Sequence, residues 1–303
     1  MPRLEIHPLS GLQDEAAQLL GERYARQRAA EPLLPEIGDV ASHLSDRDGV
    51  VATRGGKVVA YLVGAVDGDT ARVDFAGHAA REPEALRDLY AALAERWDVS
   101  RYAVAVPASD DGLIDAWFRL AFGCQFMWAV RETAADADVD VQLHHFAGEI
   151  RPGTPGDLEA AVEFDEMLSR LQTRSPSFSG RPLPSRAELA EEWSETWSDP
   201  ETYPHFVAEH DGRVVGHILL YKRPEGDLRV PPKNIDLADA ATLDDVRGTG
   251  VGLALTQHVL GWAREHGYRS MTVDWRSANL LASRFWPRRG FRPQYLRLYR
   301  AVP

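Results

Sequence analysis

The sequence predicts an α+β protein made of two like-folded domains in tandem, each a mixed, mostly antiparallel sheet flanked by helices. Three observations carry this expectation: the size of the chain, an internal repeat, and an element order that recurs in both halves. With 303 residues, 44% of them hydrophobic, the chain has apolar material for about two cores of ordinary domain size.

The repeat comes in three collinear blocks. Glu5, Ile6 and Pro8 match Glu149, Ile150 and Pro152 at an offset of 144. Val51, Gly56, Val58 and Val59 match Val207, Gly212, Val214 and Val215 at 156. Leu86, Leu93, Val106, Phe118 and Gly123 match Leu253, Leu260, Val273, Phe285 and Gly290 at 167. Collinear blocks with growing offsets point to a duplicated domain. The expected boundaries are 1–135 and 148–303, with a linker at 136–147 at the end of the small, acidic stretch Thr133 to Asp140.

The second half gives the element order. Glu149 to Pro152 is a strand, and Thr154-Pro155-Gly156-Asp157 opens a helix to Leu171, with Asp157 placed to cap it. The Ser-, Pro- and Gly-rich stretch Thr173 to Pro184 is a surface loop that could serve as a lid, and helix resumes from Ser185 to Trp197. A hairpin turns at His210-Asp211-Gly212 between two strands. Then follow a strand at Ile235 to Thr242, a helix at Gly250 to Gly267, a strand at Met271 to Trp275, a helix at Leu280 to Arg288, and Phe291 to Tyr299 closing the same sheet.

Charge and cysteine content narrow the function. There are 46 acidic against 34 basic residues, a net charge of −12, which disfavours nucleic acid or an anionic membrane as partner and suits an amine. Cys124 is the single cysteine, so no disulfide or cysteine zinc site forms within the chain. No apolar run approaches the ~18 residues of a membrane span, and the N-terminus lacks a signal-peptide layout, so the expected location is cytoplasmic.

The stretch that carries chemistry is Val246-Arg247-Gly248-Thr249-Gly250-Val251-Gly252, after a strand and opening an amphipathic helix. Its glycines let the backbone approach a ligand and turn several N–H groups toward one point at a helix N-terminus, where a pyrophosphate is the natural guest. Downstream, Asn279, Ala282, Phe285, Trp286, Gly290 and Phe291 form a second cluster.

Together these motifs resemble the GCN5-related N-acetyltransferase (GNAT) superfamily in a tandem-domain form. Its acyl-CoA signature, Arg/Gln-x-x-Gly-x-Gly/Ala, is filled by Arg247, Gly250 and Gly252. The resemblance implies that acetyl-CoA is the co-substrate and that Thr242, Leu243 and Asp244 receive its pantetheine through the backbone. It further implies that Arg247, Gly248, Thr249, Gly250, Val251 and Gly252 hold the pyrophosphate, and that Asn279 and Phe285 flank the pantetheine arm. In the first half Ala80-Arg81-Glu82-Pro83-Glu84-Ala85 replaces the glycine loop. Two carboxylates and a proline stand where a pyrophosphate would need N–H groups, so this half is expected to be a degenerate copy that binds no acyl-CoA.

Some members use a carboxylate base six residues before the strand-end position held here by Thr242. That register gives Asp236, and the even spacing would keep both on one strand face. Asp239 is then a solvated charge on the opposite face, and Asp274 a third carboxylate candidate. Trp286 stands where many members carry an acidic Tyr; Tyr295 and Tyr299 downstream could reach in but read more simply as ordinary strand residues, and members without the Tyr can protonate the thiolate through water, so the acid stays unassigned. His205, His210 and His217 match no metal spacing, and no metal is expected. Trp193 and Trp197 suggest a packed helix face, while Arg288 and Arg289 suit a solvated helix end. The expected activity is acetyl transfer from acetyl-CoA to a primary amine of a small molecule. The alternatives are a non-catalytic acyl-CoA-binding regulator and a protein N-acetyltransferase.

Overall fold

The computed structural model describes residues 2–134, 146–180 and 182–302. The linker expected at 136–147 therefore falls almost wholly outside the described residues. In chain order the elements are β1 (Leu4–Pro8), α1 (Gln13–Ala30), β2 (Gly49–Arg54), β3 (Lys57–Val63), β4 (Ala65–Asp67), β5 (Thr70–Val73), β6 (His78–Ala80), α2 (Leu86–Ala94), β7 (Arg101–Pro107), α3 (Asp111–Arg119) and β8 (Gly123–Glu132). There follow β9 (Glu149–Pro152), α4 (Leu158–Thr173), α5 (Arg186–Ser198), β10 (His205–His210), β11 (Arg213–Tyr221), β12 (Asn234–Thr242), α6 (Val251–Glu265), β13 (Ser270–Arg276), α7 (Leu280–Phe285) and β14 (Arg292–Ala301). No helix among the described residues is long and apolar enough to cross a membrane.

The chain divides into two compact units, and the division is not contiguous in sequence. Unit 1 holds Met1–Trp128, Asp227–Arg229 and Pro293–Pro303; unit 2 holds Ala129–Gly226 and Val230–Arg292. In unit 1, β1, β2, β3 and β6 form an antiparallel sheet. β5 runs parallel to β7, and β14 pairs antiparallel with β7 from Tyr295↔Pro107 to Ala301↔Arg101. The C-terminal strand thus lies between β7 and β8 rather than directly beside β13, and supplies Tyr295 and Leu298 to the cores of unit 1.

Unit 2 is a mixed sheet in the order β13-β12-β11-β10-β9, parallel only between β12 and β13. The β10–β11 hairpin turns where Asp211 and Gly212 both have positive φ, 51° and 73°, the geometry that Asp-Gly supplies with least strain. Its ladder slips between Ala208 and Glu209, and the β2–β3 ladder slips between Ala52 and Thr53, the same place at the repeat offset of 156. α5 starts in a capping box between Ser185 and Glu188. α6 buries Val251, Leu255, Val259, Leu260 and Ala263. α7 ends at Phe285 rather than Arg288, and Pro287–Arg289 form a separate 3-10 turn.

Candidate active site

Two features of β12 shape the site. Its parallel ladder with β13 runs from Asn234↔Ser270 to Leu237↔Val273 and stops there, so the last residues of β12 have no ladder on that edge. Its ladder with β11 slips by one residue: Leu237 faces Leu220, Asp239 faces Leu219, and Ala238 is the extra residue of a bulge. A bulge inverts the period-two alternation. Cross-strand partners share a face, so Asp236 (opposite Tyr221), Asp239 (opposite Leu219) and Ala241 (opposite His217) lie on one face. Thr242, opposite Gly216, lies on the other.

That result bears on the expected base, because the even spacing does not put Asp236 and Thr242 on one face. Asp236 is not on the face of Thr242 and does not line the cleft; it is 2% exposed, ion-paired with Arg223, and accepts a hydrogen bond of 2.7 Å from Thr272 Oγ1. Arg223 is itself held over the Tyr221 ring, 5.0 Å from its centroid. Asp239 differs: burial pushes its carboxyl from 3.8 up to about 7, with the carboxylates of Asp165 on α4 and Asp274 on β13 adding repulsion. Asp165 is raised too, by burial, while accepting a 2.6 Å hydrogen bond from Trp193 Nε1. Asp239, like Asp236, is not among the residues that line the cleft, but burial brings its carboxyl toward neutrality, where sequence periodicity had placed it in solvent.

Beyond the bulge, a cleft of about 1080 Å³ opens within unit 2, between α4, β11, the end of β12, the glycine segment, α6 and α7. Of the residues expected to contact cofactor, Thr242, Leu243, Asp244, Arg247, Gly248, Gly250, Val251, Gly252, Asn279 and Phe285 all line it. Thr249 does not; its hydroxyl donates to the Val246 carbonyl at 2.7 Å. The Leu243 N–H is already given to Val215 O at 3.0 Å, which leaves Thr242 and Asp244 to present backbone to a ligand.

The start of α6 is built for close approach. Gly250 is its N-cap with φ +99°, a left-handed conformation that only glycine takes at little cost, and no side chain caps the helix. Gly248 has φ +81°. A Cβ on Gly252 would stand 3.6 Å from the Phe285 ring. A Cβ on Gly216 would come to 3.0 Å from Val251 Cγ1, so that glycine allows α6 to lie directly on β11.

Five arginines line the same cleft: Arg170, Arg174, Arg213, Arg247 and Arg289. In a chain of net charge −12 this concentrates positive charge where a polyanion would lie. Arg247 pairs with Asp244 at 2.5 Å and Arg213 with Asp245 at 2.8 Å. Arg289, expected at a solvated helix end, stacks over Phe285 with its guanidinium carbon 4.4 Å from the ring centroid. Its position depends on the 3-10 turn after Pro287, which the helical pattern did not reveal. Asn279 caps α7 by accepting the Ala282 N–H at 3.2 Å.

Neither Tyr295 nor Tyr299 is among the residues that line the cleft. Tyr295 lies in unit 1, fully buried against Phe75, with burial pushing its hydroxyl up to about 12. Tyr299 pairs with Ala103 on β7. Trp286 is 7% exposed and packs against Phe285 and Phe291. Trp193 is buried, its ring 5.1 Å from that of Trp197. Among the described residues no group of three or more His, Cys, Asp or Glu is arranged to hold a metal ion.

Comparison with known proteins places this geometry. A family model for the acetyltransferase (GNAT) family matches residues 166–291. Uncharacterized N-acetyltransferases of Mycobacterium tuberculosis and Mycobacterium bovis are 30% identical over 94 residues, which is 31% of this chain. The chain spans 56% of the length of these curated relatives. Among solved structures, a GCN5-related N-acetyltransferase from Sphaerobacter thermophilus aligns with a TM-score of 0.60 at 16% identity, over 98% of this chain and 95% of that one. A GCN5-related glucosamine N-acetyltransferase region of a fungal multi-domain β-N-acetylglucosaminidase aligns at 0.52 with 12% identity, over 99% of this chain and 38% of that one. At such identities the likeness is one of fold.

Proposed function

The chain belongs to the GNAT acetyltransferase superfamily, and from that premise we propose that unit 2 transfers an acetyl group from acetyl-CoA to a primary amine of a small molecule. The observation that carries this reading is the cleft: an uncapped helix start with a left-handed glycine, ringed by five arginines, next to a carboxylate held near neutrality. In this reading the first N–H groups of α6 and the Arg247 and Arg289 side chains bind the pyrophosphate. The pantetheine lies against the edge of β12 that β13 leaves, with Asn279 and Phe285 beside it. Asp239 takes a proton from the acceptor ammonium, directly or through one water. The freed nitrogen lone pair forms the C–N bond, the C–S bond breaks, and the second proton leaving the nitrogen passes through water to the departing thiolate. The carboxylates of Asp165 and Asp274 beside Asp239 favour a cationic acceptor.

Acetyl-CoA titration and a free-thiol assay across a panel of amines test the proposal. Expected are one CoA site per chain and thiol release that depends on the amine. Tight binding without thiol release for any amine would favour a CoA-binding regulator, turnover only with a peptide amine would favour a protein acetyltransferase, and absence of CoA binding would overturn the reading.

A further inference from the structure

Beside the cleft lies a chain of aromatic nitrogens that the mechanism above does not use. Trp197 Nε1 donates to His205 Nδ1 at 3.2 Å. An indole nitrogen can only donate, so His205 Nδ1 is an acceptor and the His205 proton sits on Nε2. His205 Nε2 lies 3.3 Å from His217 Nδ1, so it donates there, and the His217 proton is in turn forced onto Nε2. That last N–H is buried and has no hydrogen-bond partner among the described residues. His217 is 1% exposed, lines the cleft, and is stacked on Phe164 with ring centroids 4.4 Å apart and planes within 6°. His205 is wedged in place: a Cβ on Gly153 would stand 2.0 Å from its Nδ1.

Burial drives both imidazoles toward the neutral form, His205 to about 4 and His217 well below its ordinary value. A buried donor without a partner costs about 1–3 kcal/mol, and a relay that fixes the tautomer so strictly has little purpose unless something in the cleft accepts that hydrogen bond. An uncharged donor suits a carbonyl, while the arginines suit the phosphates. The register fits as well: His217 faces Ala241, next to the expected pantetheine residues, and shares a sheet face with Asp239. We infer that the His217 Nε2–H donates a hydrogen bond to the thioester carbonyl oxygen of the bound acyl-CoA and holds that oxygen as negative charge builds on it, with His205 and Trp197 as positioning residues that fix its tautomer.

This inference rests on the acetyl-CoA reading above, and the test separates the two. In 15N-labelled full-length protein, the His217 Nε2–H signal is expected to shift on adding acetyl-CoA and to stay within its free position on adding CoA. His217→Phe keeps the stack on Phe164 and removes the donor; it should lose roughly 100-fold in kcat with CoA affinity kept within about twofold. His217→Gln, which offers an amide N–H at similar reach, should recover most of that loss. His205→Phe should leave His217 a mixture of tautomers by NMR and lower kcat less than His217→Phe, with KM for the amine unchanged. A His217 signal that responds equally to CoA and acetyl-CoA, or a Gln variant as slow as the Phe variant while both bind CoA, overturns the inference and leaves the acetyltransferase reading standing. A wild-type protein that binds neither ligand overturns both.

Discussion

Replacing Asp239 and Asp236 by Asn, one at a time, should give opposite results in stability and in activity. Asp239 stands raised from 3.8 to about 7 by burial and by its carboxylate neighbours, so its ionised form is disfavoured in the folded protein. The folded state therefore holds this proton more tightly than the unfolded chain between about pH 4 and pH 7, and stability falls as pH rises through that window. The full difference is at most about 4 kcal/mol, and the partial access of Asp239 to solvent brings it to about 2 kcal/mol. Asp239→Asn removes the penalty: urea unfolding should show it about 2 kcal/mol more stable than wild type at pH 8 and nearly equal at pH 4. The same variant should lose roughly 100-fold or more in kcat/KM, measured by thiol release with a weakly basic amine so that the amine's own titration does not set the profile. The wild-type rate should rise through about pH 7, because the base must be ionised. Asp236→Asn weakens the ion pair with Arg223 and the hydrogen bond from Thr272 and should cost about 1–3 kcal/mol in stability, while acetyl-CoA affinity and kcat stay within a few fold. A stable Asp236→Asn that has lost turnover, beside an active Asp239→Asn, would refute the assignment and the bulge argument behind it.

Isothermal titration of the full chain with CoA should give a stoichiometry near one. In unit 1 the segment in place of the glycine loop carries Glu82, paired with Arg54 at 2.8 Å, and Pro83, and the hollow there is only about 490 Å³; two equivalent sites would contradict this. Gly250→Val forces a β-branched residue to φ +99°; a cost of about 1–3 kcal/mol and loss of CoA binding are expected, and wild-type affinity in this variant would show that the helix start is not the anion site. Asp157 is held down from 3.8 to about 2, first by the Arg151 ion pair at 2.7 Å. Its contribution, about 2 kcal/mol, should be complete above about pH 4 and vanish as pH falls through about 2; an Asp157→Asn variant whose acid-unfolding curve superimposes on the wild type would show that the pair adds nothing.

Much of the molecule was legible because its signals are short-range. The Asp211-Gly212 turn, the capping box from Ser185 to Glu188 and the apolar face of α6 each depend on residues within one or two turns of each other. The glycine segment is of the same kind, since a left-handed Gly250 ahead of a helix is a local demand on the backbone. The repeat was legible too, because like sequences fold into like elements, down to the matching slips at Ala52 and Ala208.

What the tertiary structure alone decided depends on pairing between distant segments. One extra residue at Ala238, visible only in the ladder with β11, turned Asp239 to the face of Asp236 and away from that of Thr242. Which strand β14 joins is a competition between sheet edges, and nothing in its own sequence showed that Tyr295 would pack against Phe75 in unit 1 rather than serve the cleft. The stacking of Arg289 on Phe285 and the line from Trp197 through His205 to His217 arise where several elements converge. Local sequence sets the conformation of each element, but the face, register and protonation of its side chains follow from burial and contacts that exist only once the elements have packed.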